Sequence, residues 1–357
     1  MFRMPVAEVV DASEWNELVL GSQLTSPTHF FSCADRHFKV VVGGETYIAP
    51  FREASLLGAR ALLSYGGRVD GGVAPLSGYS ALSECVSELL ALARSEGYDV
   101  LNMTVKRYYR ADYTSRVAEL LAQLSGHVRV MRARVLPLRG GFDYVWRRRF
   151  SKKARNLVRK FERCGGEVAL LDDPLEHLDE IMEVNLSAPV RQGRPLPPSY
   201  TDRGAVEAGL RSRLKEMGEH FRVYAAFLRG RLAAYAYVVD LNGYAYISRF
   251  LAHAKYMGYA ASNGLLSAVI EDLCERSVEV VQYGYWSRRH PGLDHFLKQH
   301  GFLAGRVEAY YVPLSSRGAL ALRALGLVSA AAESRVGDAL GELRLARAVY
   351  RALTSAE

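Results

Sequence analysis

Seventeen consecutive residues, Arg147 to Arg163 (RRRFSKKARNLVRKFER), carry nine Lys or Arg against the single acid Glu162. Their surplus equals the formal net charge of the whole chain, +8, because 15 bases balance 15 acids before the segment and 22 balance 22 after it. Within it Phe150, Ala154, Leu157, Val158 and Phe161 recur at helical spacing and form one apolar stripe. The segment therefore reads as an amphipathic helix. Ser151 is the expected N-cap, and Lys152, Lys153 and Arg155 then occupy the first turn. There the helix dipole disfavours cations by roughly 0.3 to 1 kcal/mol each. A phosphate-bearing ligand would offset that cost; a solvated charged face is the plain alternative, and both stay open.

At 357 residues with 49% hydrophobic content, the chain buries a substantial core and divides into two or three domains. No N-terminal stretch has the charged start, apolar core and small-residue cleavage site of a signal peptide. The most apolar C-terminal run, Leu320 to Ala332, is interrupted by Arg323 and is too short to span a bilayer, so a cytoplasmic protein without a transmembrane segment is expected. Cys33, Cys85, Cys164 and Cys274 show neither CxxC nor metal-ligand spacing, so buried thiols and no metal site are expected. Five Gln and six Asn beside abundant Arg, Glu, Tyr and Val suggest a heat-adapted, thermophile source.

Residues 15–104 mix helix and strand, with glycine turns at Tyr65-Gly66-Gly67 and Asp70-Gly71-Gly72, a helix Leu82 to Ser95 and a strand Val100 to Val105. A helix Ala118 to Leu124 and a strand Val128 to Leu138 lead to a boundary at Pro137, Gly140 and Gly141. After the basic helix come helices Leu175 to Asn185 and Arg203 to Met217, divided by a Pro- and Arg-rich loop. Strands Arg222 to Leu228, Leu232 to Asp240 and Tyr244 to Phe250 follow. The last two are joined by Asn242-Gly243, a strong hairpin signal, and the alternation puts Tyr235 and Tyr237 on one face. A loop Leu251 to Ser262, a helix Asn263 to Arg276, a strand Val278 to Tyr285, a short helix Gly292 to His300 and two strands ending near Pro313 complete this half, before a helical tail Ser316 to Thr354.

Hairpin, strand, loop, helix, strand, short helix, strand is the element order of the GNAT acyltransferase fold. The loop Lys255-Tyr256-Met257-Gly258-Tyr259-Ala260 resembles the pattern with which that family holds pyrophosphate, since small residues let backbone N–H groups approach an anion at a helix N-terminus. The segments WxxxxSKKARNLVRKFERCGGEV from Trp146, FLRGRLAAYAYVV, and GLLSAVIEDLCERSVEVVQYGYWSRRHPGLDHFLKQHGF, with WNELVLGSQLTSPTHFF and SYGGRVDGG in the first half, resemble the Fem-type (FemAB-like) branch of that superfamily over nearly the whole chain. The resemblance implies an α/β (α+β) chain of two tandem GNAT-like units, each a mixed, mostly antiparallel sheet flanked by helices. One unit would span 1–145 with the tail 314–357, the other 146–313, with the basic helix 147–163 and a donor-binding loop 251–263. It implies transfer of an aminoacyl group from charged tRNA, or of an acyl group from acyl-CoA, to an amine of a small molecule or peptide. It also implies a Phe-Lys pair on the last short helix. Counted back from Gly301, its lysine position holds Leu297, and Lys298 lies about 100° further round.

Acyl transfer to an amine needs a stabilised oxyanion and removal of a proton from nitrogen. Backbone N–H groups around Phe250 and Leu251 are candidates for the first task. For catalysis the candidates are Tyr246, Tyr285 and Lys298, with Tyr283 and Asp240 beside them. Lys255, Gly258, Tyr259, Ala260 and Asn263 are candidates for holding the co-substrate; Arg147, Arg148, Arg149, Lys152, Lys153, Arg155 and Arg159 are candidates for binding nucleic acid. His290, His295 and His300 read as a solvated polar face, and Arg288 and Arg289 as an anion contact or plain loop. No covalently bound cofactor is expected. Two readings compete with the transferase: a non-catalytic RNA- or tRNA-binding module on a degenerate GNAT-like scaffold, and attachment of the basic helix to a membrane surface.

Overall fold

Asn242 and Gly243 both take positive φ, 52° and 78°. This mirror-image turn has the twist that adjacent antiparallel strands require. The strands Arg231–Leu241 and Tyr244–Ala252 pair across it. The computed structural model describes residues 6–333 apart from 31–32, 67–68, 71, 189, 192–193 and 287–290. It divides into two units, residues 1–131 with 306–357, and residues 132–305.

In the second unit the strand order is Gly166–Leu170, Phe221–Leu228, Arg231–Leu241, Tyr244–Ala252, all antiparallel; then comes Val280–Tyr285, parallel to the hairpin strand and antiparallel to Ala133–Pro137 of the strand His127–Pro137. Strand alternation divides the chemistry. Ala234, Ala236, Val238, Ala245 and Ile247 face the helix Ala261–Glu275 and the basic helix, in a core that includes Leu265, Val269 and Phe161. Tyr235 and Tyr237 face the other way, under the helices Leu178–Leu186 and Arg203–Met217.

The first unit repeats this order. Strands Arg36–Val42, Glu45–Leu56 and Ala59–Leu63 are antiparallel, the helix Leu82–Ser95 leads to a strand Val100–Lys106 parallel to Ala59–Leu63, and the helix Ala111–Leu124 follows. Residues Val307–Pro313 pair antiparallel with Val100–Lys106. The fold is therefore α/β with the same plan used twice in tandem. The tail helix is described over Ser316–Glu333; its expected continuation to Thr354 lies outside the described residues. Among the described residues no helix is long and apolar enough to cross a membrane.

Two helix expectations are corrected. The helix before the Val128 strand begins at Ala111. The basic stretch is not one helix: a wide π-type turn, Val145–Arg149, closes with Phe150 N donating to Val145 O at 3.0 Å; Phe150 is then extended and Ser151 starts a separate helix, Lys152–Arg163. The break has a visible cause. Arg155 of the new helix donates to the carbonyls of Trp146 (3.1 Å), Arg147 (3.4 Å) and Phe150 (2.5 Å), groups that the first segment leaves without helical partners.

Candidate active site

Tyr244–Ala252 and Val280–Tyr285 share three rungs only, Tyr244 with Val280, Ala245 with Val281 and Tyr246 with Gln282. A β-bulge at Ser248 re-aims the first strand, whose register against its hairpin partner shifts between Tyr237 and Val238. A second shift, between Gln282 and Tyr285, carries the other strand away. Beyond Tyr246 the two strands diverge, and their facing edges no longer satisfy each other. A β-bulge beside such a divergence is the arrangement that aims backbone N–H groups into a cleft. Phe250 and Tyr283 meet edge to face at 6.1 Å across it.

One wall of this opening leads to the candidate donor loop. A 3-10 turn, Ala254–Tyr259, is capped by His253, whose Nδ1 accepts from Lys255 N at 3.1 Å; Ala260 then takes φ 61° and the helix Ala261–Glu275 begins. Asn263 N and Gly264 N turn back to Ala260 O, at 2.9 and 3.2 Å. The amides of Ala261 and Ser262 belong to the first-turn donors for which an α-helix has no internal acceptor. Met257, Gly258 and Tyr259 are exposed.

The basic helix lies directly beside this turn. Lys160 Nζ donates to Gly258 O at 2.8 Å. Phe161, buried, presses its ring where a Cβ on Gly264 would stand 2.1 Å away and one on Gly166 2.3 Å away, so two glycines set how closely the basic helix approaches. Its stripe is buried as the spacing requires, with Phe150, Ala154, Val158 and Phe161 inside and Leu157 half-buried. Aromatic rings continue from it: Trp146 on Phe150 (5.4 Å), Phe150 on His300 (5.0 Å), His300 on Phe296 (4.5 Å) and Phe296 on Phe250 (6.1 Å), ending at the diverging strands.

The structure brings some candidate residues together and turns others away. Arg147, Arg148, Lys152, Lys153, Arg159, Lys160 and Arg163 are exposed. Arg149 is half-buried against Gly301, where a Cβ would meet its own Cβ at 2.5 Å. Arg155 serves as the cap described above. Lys255 is exposed with Nζ 5.6 Å from the Tyr256 ring centroid. Asn263 is buried, its amide 3.4 Å from His300 Nε2, so its side chain braces the loop from inside. Tyr246 is half-buried on the last rung; Tyr285 is half-buried where its strand has left that rung and pairs with Ala133. Leu297 is buried in the core, and Lys298 is exposed, with Nζ 5.0 Å from the Trp286 centroid. Asp240 is buried between Arg276 (2.9 Å) and Arg222 (3.5 Å).

His300 does not lie on a solvated face: it is fully buried, donates from Nδ1 to Phe296 O at 2.8 Å, and burial pulls its pKa down to about 4. Arg288, Arg289 and His290 lie outside the described residues. The sequence reading passed over Lys160 as a contact to the loop, and over Arg249, a single cation in an otherwise apolar and tyrosine-rich strand.

Residues 148–292 match the family described as acetyltransferase (GNAT) domain. With the bulged hairpin, diverging parallel strand and loop-capped helix, this makes the chain a GNAT-fold protein. Solved structures of the same fold resemble it over most of the chain. A crystal structure of FemX is similar at a TM-score of 0.62 and 12% identity, covering 85% of this chain and 96% of that one. L-PGS from Bacillus licheniformis gives 0.56 at 14% identity, covering 85% and 92%. The C-terminal domain of a proposed lysylphosphatidylglycerol synthetase from Agrobacterium fabrum gives 0.56 at 12% identity, covering 89% and 98%. No curated protein matches the sequence.

Proposed function

We propose that the protein is a Fem-type N-acyltransferase that takes an acyl or aminoacyl group from a phosphate-bearing donor, aminoacyl-tRNA or acyl-CoA, and passes it to an amine. The observation that carries this reading is the junction of three features in one unit: the divergence of the hairpin strand after Tyr246, the helix start at Ala260–Ala261, and the basic helix bonded to the loop through Lys160 and Gly258. Donor phosphates lie over the loop's small residues and the exposed cations. The acyl carbonyl reaches the wedge, where N–H groups near Phe250 and Leu251 stabilise the oxyanion. The amine attacks the carbonyl as it gives up a proton, with Tyr246 and Tyr285 the nearest candidates to receive or relay it and Lys298 a candidate cation beside the carbonyl. The tetrahedral intermediate then collapses to the amide, breaking the ester C–O or thioester C–S bond, and the proton leaves on the tRNA hydroxyl or CoA thiol.

Seven exposed cations on and before one short helix exceed what a single pyrophosphate neutralises, which favours tRNA as donor. The test is transfer of a labelled aminoacyl group from charged tRNA, and of an acetyl group from acetyl-CoA, to a panel of amines, with product detected by mass spectrometry. Transfer from one donor supports the reading and selects the donor. Salt-sensitive tRNA binding without transfer to any amine overturns it in favour of the RNA-binding module, to which the leucine at position 297 points.

A further inference from the structure

The register of the sheet assigns the two faces of the wedge to different tasks. Phe250, paired with Ala236, is on the face carrying the helix Ala261–Glu275 and the basic helix. Arg249, paired with Tyr237, is on the opposite face, together with Tyr246, which pairs with Val239 two rungs along. A donor held by the loop enters from the first face; the second is left for the acceptor.

Arg249 is an unusual occupant of that face. It is only 8% exposed, yet among the described residues no carboxylate lies within salt-bridge distance of its guanidinium. What surrounds it is tyrosine. Its Cζ stands 3.8 Å from the Tyr200 ring centroid and 5.0 Å from that of Tyr237, and Nη2 donates to Ser199 O at 3.0 Å. Tyr237 is 1% exposed and its hydroxyl has no hydrogen-bond partner of good geometry. Arg249 beside it can only donate, so the phenol proton is left without an acceptor. A buried guanidinium without a counter-ion and a buried hydroxyl without an acceptor, side by side, are each costly in a finished core. One ligand atom removes both costs: an anionic oxygen accepting from Arg249 and from Tyr237. Stacking on Tyr200 and Tyr237 offsets part of the cation's desolvation, and Ser199 O and the Tyr235 hydroxyl accept from it, but these neutral groups supply neither a counter-charge for Arg249 nor an acceptor for the Tyr237 proton.

We propose that Arg249, with Tyr237, anchors an anionic group of the acceptor, a carboxylate or phosphate, so that its amine is presented at the wedge beside Tyr246. The proposal rests on the transferase reading for the word acceptor, and on Arg249 and Tyr237 alone for the anion. Tyr200, on the short helix Pro198–Thr201 stacked over the guanidinium, is the side chain that must move to admit it.

The experiment is calorimetric titration of the full chain with γ-aminobutyrate, glycylglycine and phosphoethanolamine, and with butylamine as the uncharged-tail control. We expect at least one anionic amine to bind and butylamine not to. Arg249→Met should weaken that binding at least tenfold, and Arg249→Lys less. Because Arg249→Met also strips packing, Tyr237→Phe is the second variant: it should weaken the same probe several-fold while its melting temperature stays level or rises, an outcome that a purely structural hydroxyl would not give. Binding of γ-aminobutyrate or glycylglycine identifies the anion as a carboxylate, and binding of phosphoethanolamine alone as a phosphate. No binding of any anionic probe to the wild type, or equal binding to both variants, overturns the anchor. Arg249-dependent binding with no transfer from either donor would overturn the transferase reading and leave the anchor standing; transfer indifferent to the acceptor's charge would do the reverse.

Discussion

The Lys160 ammonium donates to the carbonyl oxygen of Gly258 at 2.8 Å, and so ties the basic helix to the turn that precedes the central helix of the second unit. The carbonyl is held by a cation that is itself exposed, so the bond orders the turn more than it stabilises the fold; exposed charge contacts contribute about 0 to 1 kcal/mol. Lys160→Met is therefore expected to leave the melting temperature almost unchanged while weakening donor binding roughly 3- to 10-fold. Donor titration beside a thermal scan checks this; a lowered melting temperature with unchanged affinity would make Lys160 a brace and nothing more.

The cations before and along the basic helix separate by position into two kinds. Arg147, Arg148, Lys152 and Lys153 are exposed, and Arg155 is spent on the carbonyls of Trp146, Arg147 and Phe150. If tRNA is the donor, about four phosphate contacts give a log–log salt slope near −3, and replacing Arg147, Arg148, Lys152 and Lys153, four of the seven exposed cations, by serine should make it markedly shallower, with Arg159, Lys160 and Arg163 keeping the remainder. Arg155→Met should leave the slope alone and lower the melting temperature, because it strips acceptors of their donor at a helix end. Binding measured from low to moderate salt in both variants distinguishes the two; a slope that falls equally in both would contradict the capping role.

Much of this architecture was legible because it is local. The spacing of Phe150, Ala154, Leu157, Val158 and Phe161 specifies one helical face whatever it packs on, and Asn242-Gly243 specifies a turn from its own backbone preferences. The wedge was not legible. It arises from the loss of pairing between Tyr244–Ala252 and Val280–Tyr285 after three rungs, and no property of either strand alone fixes where two distant segments part. The break at Phe150 was hidden for a related reason: the unbroken charge run masks a change of helix type that depends on Arg155 reaching back to carbonyls. Arg249 was overlooked because a lone arginine in a strand reads as solvent-facing until the helices that cover it are in place.

Gly264 is where the fold of the site is most sensitive to a single methyl group. An added Cβ would stand 2.1 Å from Phe161 Cδ1, and the ring cannot yield because Gly166 lies against its other edge, at 2.3 Å from an added Cβ there. Gly264→Ala gains helix propensity but forces the basic helix off the central one, so the sign is destabilising, by about 1 to 3 kcal/mol. For a unit of this size that lowers the melting temperature by roughly 3 to 10 °C. Calorimetry of Gly264→Ala reads it directly, and a variant as stable as the wild type would show that the two helices slide freely.

The short helix Pro291–Gln299 turns Leu297 inward and leaves Lys298 at the surface over Trp286. Lys298→Ala forgoes a cation–π contact of about 0.5 to 1 kcal/mol, and we expect it to slow transfer at least tenfold with little change in melting temperature. Moving the lysine to position 297 is no remedy. Leu297→Lys buries an ammonium in an apolar core and should unfold the second unit. A transfer rate unchanged in Lys298→Ala would remove that residue from the chemistry.

His300 makes the second unit sensitive to acid in a defined window. Burial, opposed only by its bond to Phe296 O, lowers its pKa from the ordinary 6.5 to about 4. Above pH 6.5 the ring is neutral in both folded and unfolded chains, and its contribution is fully present. As pH falls from 6.5 towards 4 the unfolded chain takes up a proton that the folded chain refuses, so stability is lost over that interval, by about 3 kcal/mol in total. Below pH 4 both states are protonated and this slope ends. His29 in the first unit, also lowered to about 4 chiefly by burial, behaves alike and serves as an internal constant. His300→Phe keeps a ring against Phe150 and removes the titration, at the expense of the bonds to Phe296 and Asn263. It should be less stable than the wild type at pH 7, and the difference should shrink or reverse near pH 4.5. Urea unfolding at the two pH values is the measurement, and parallel losses in both proteins would show that His300 does not set the acid limit.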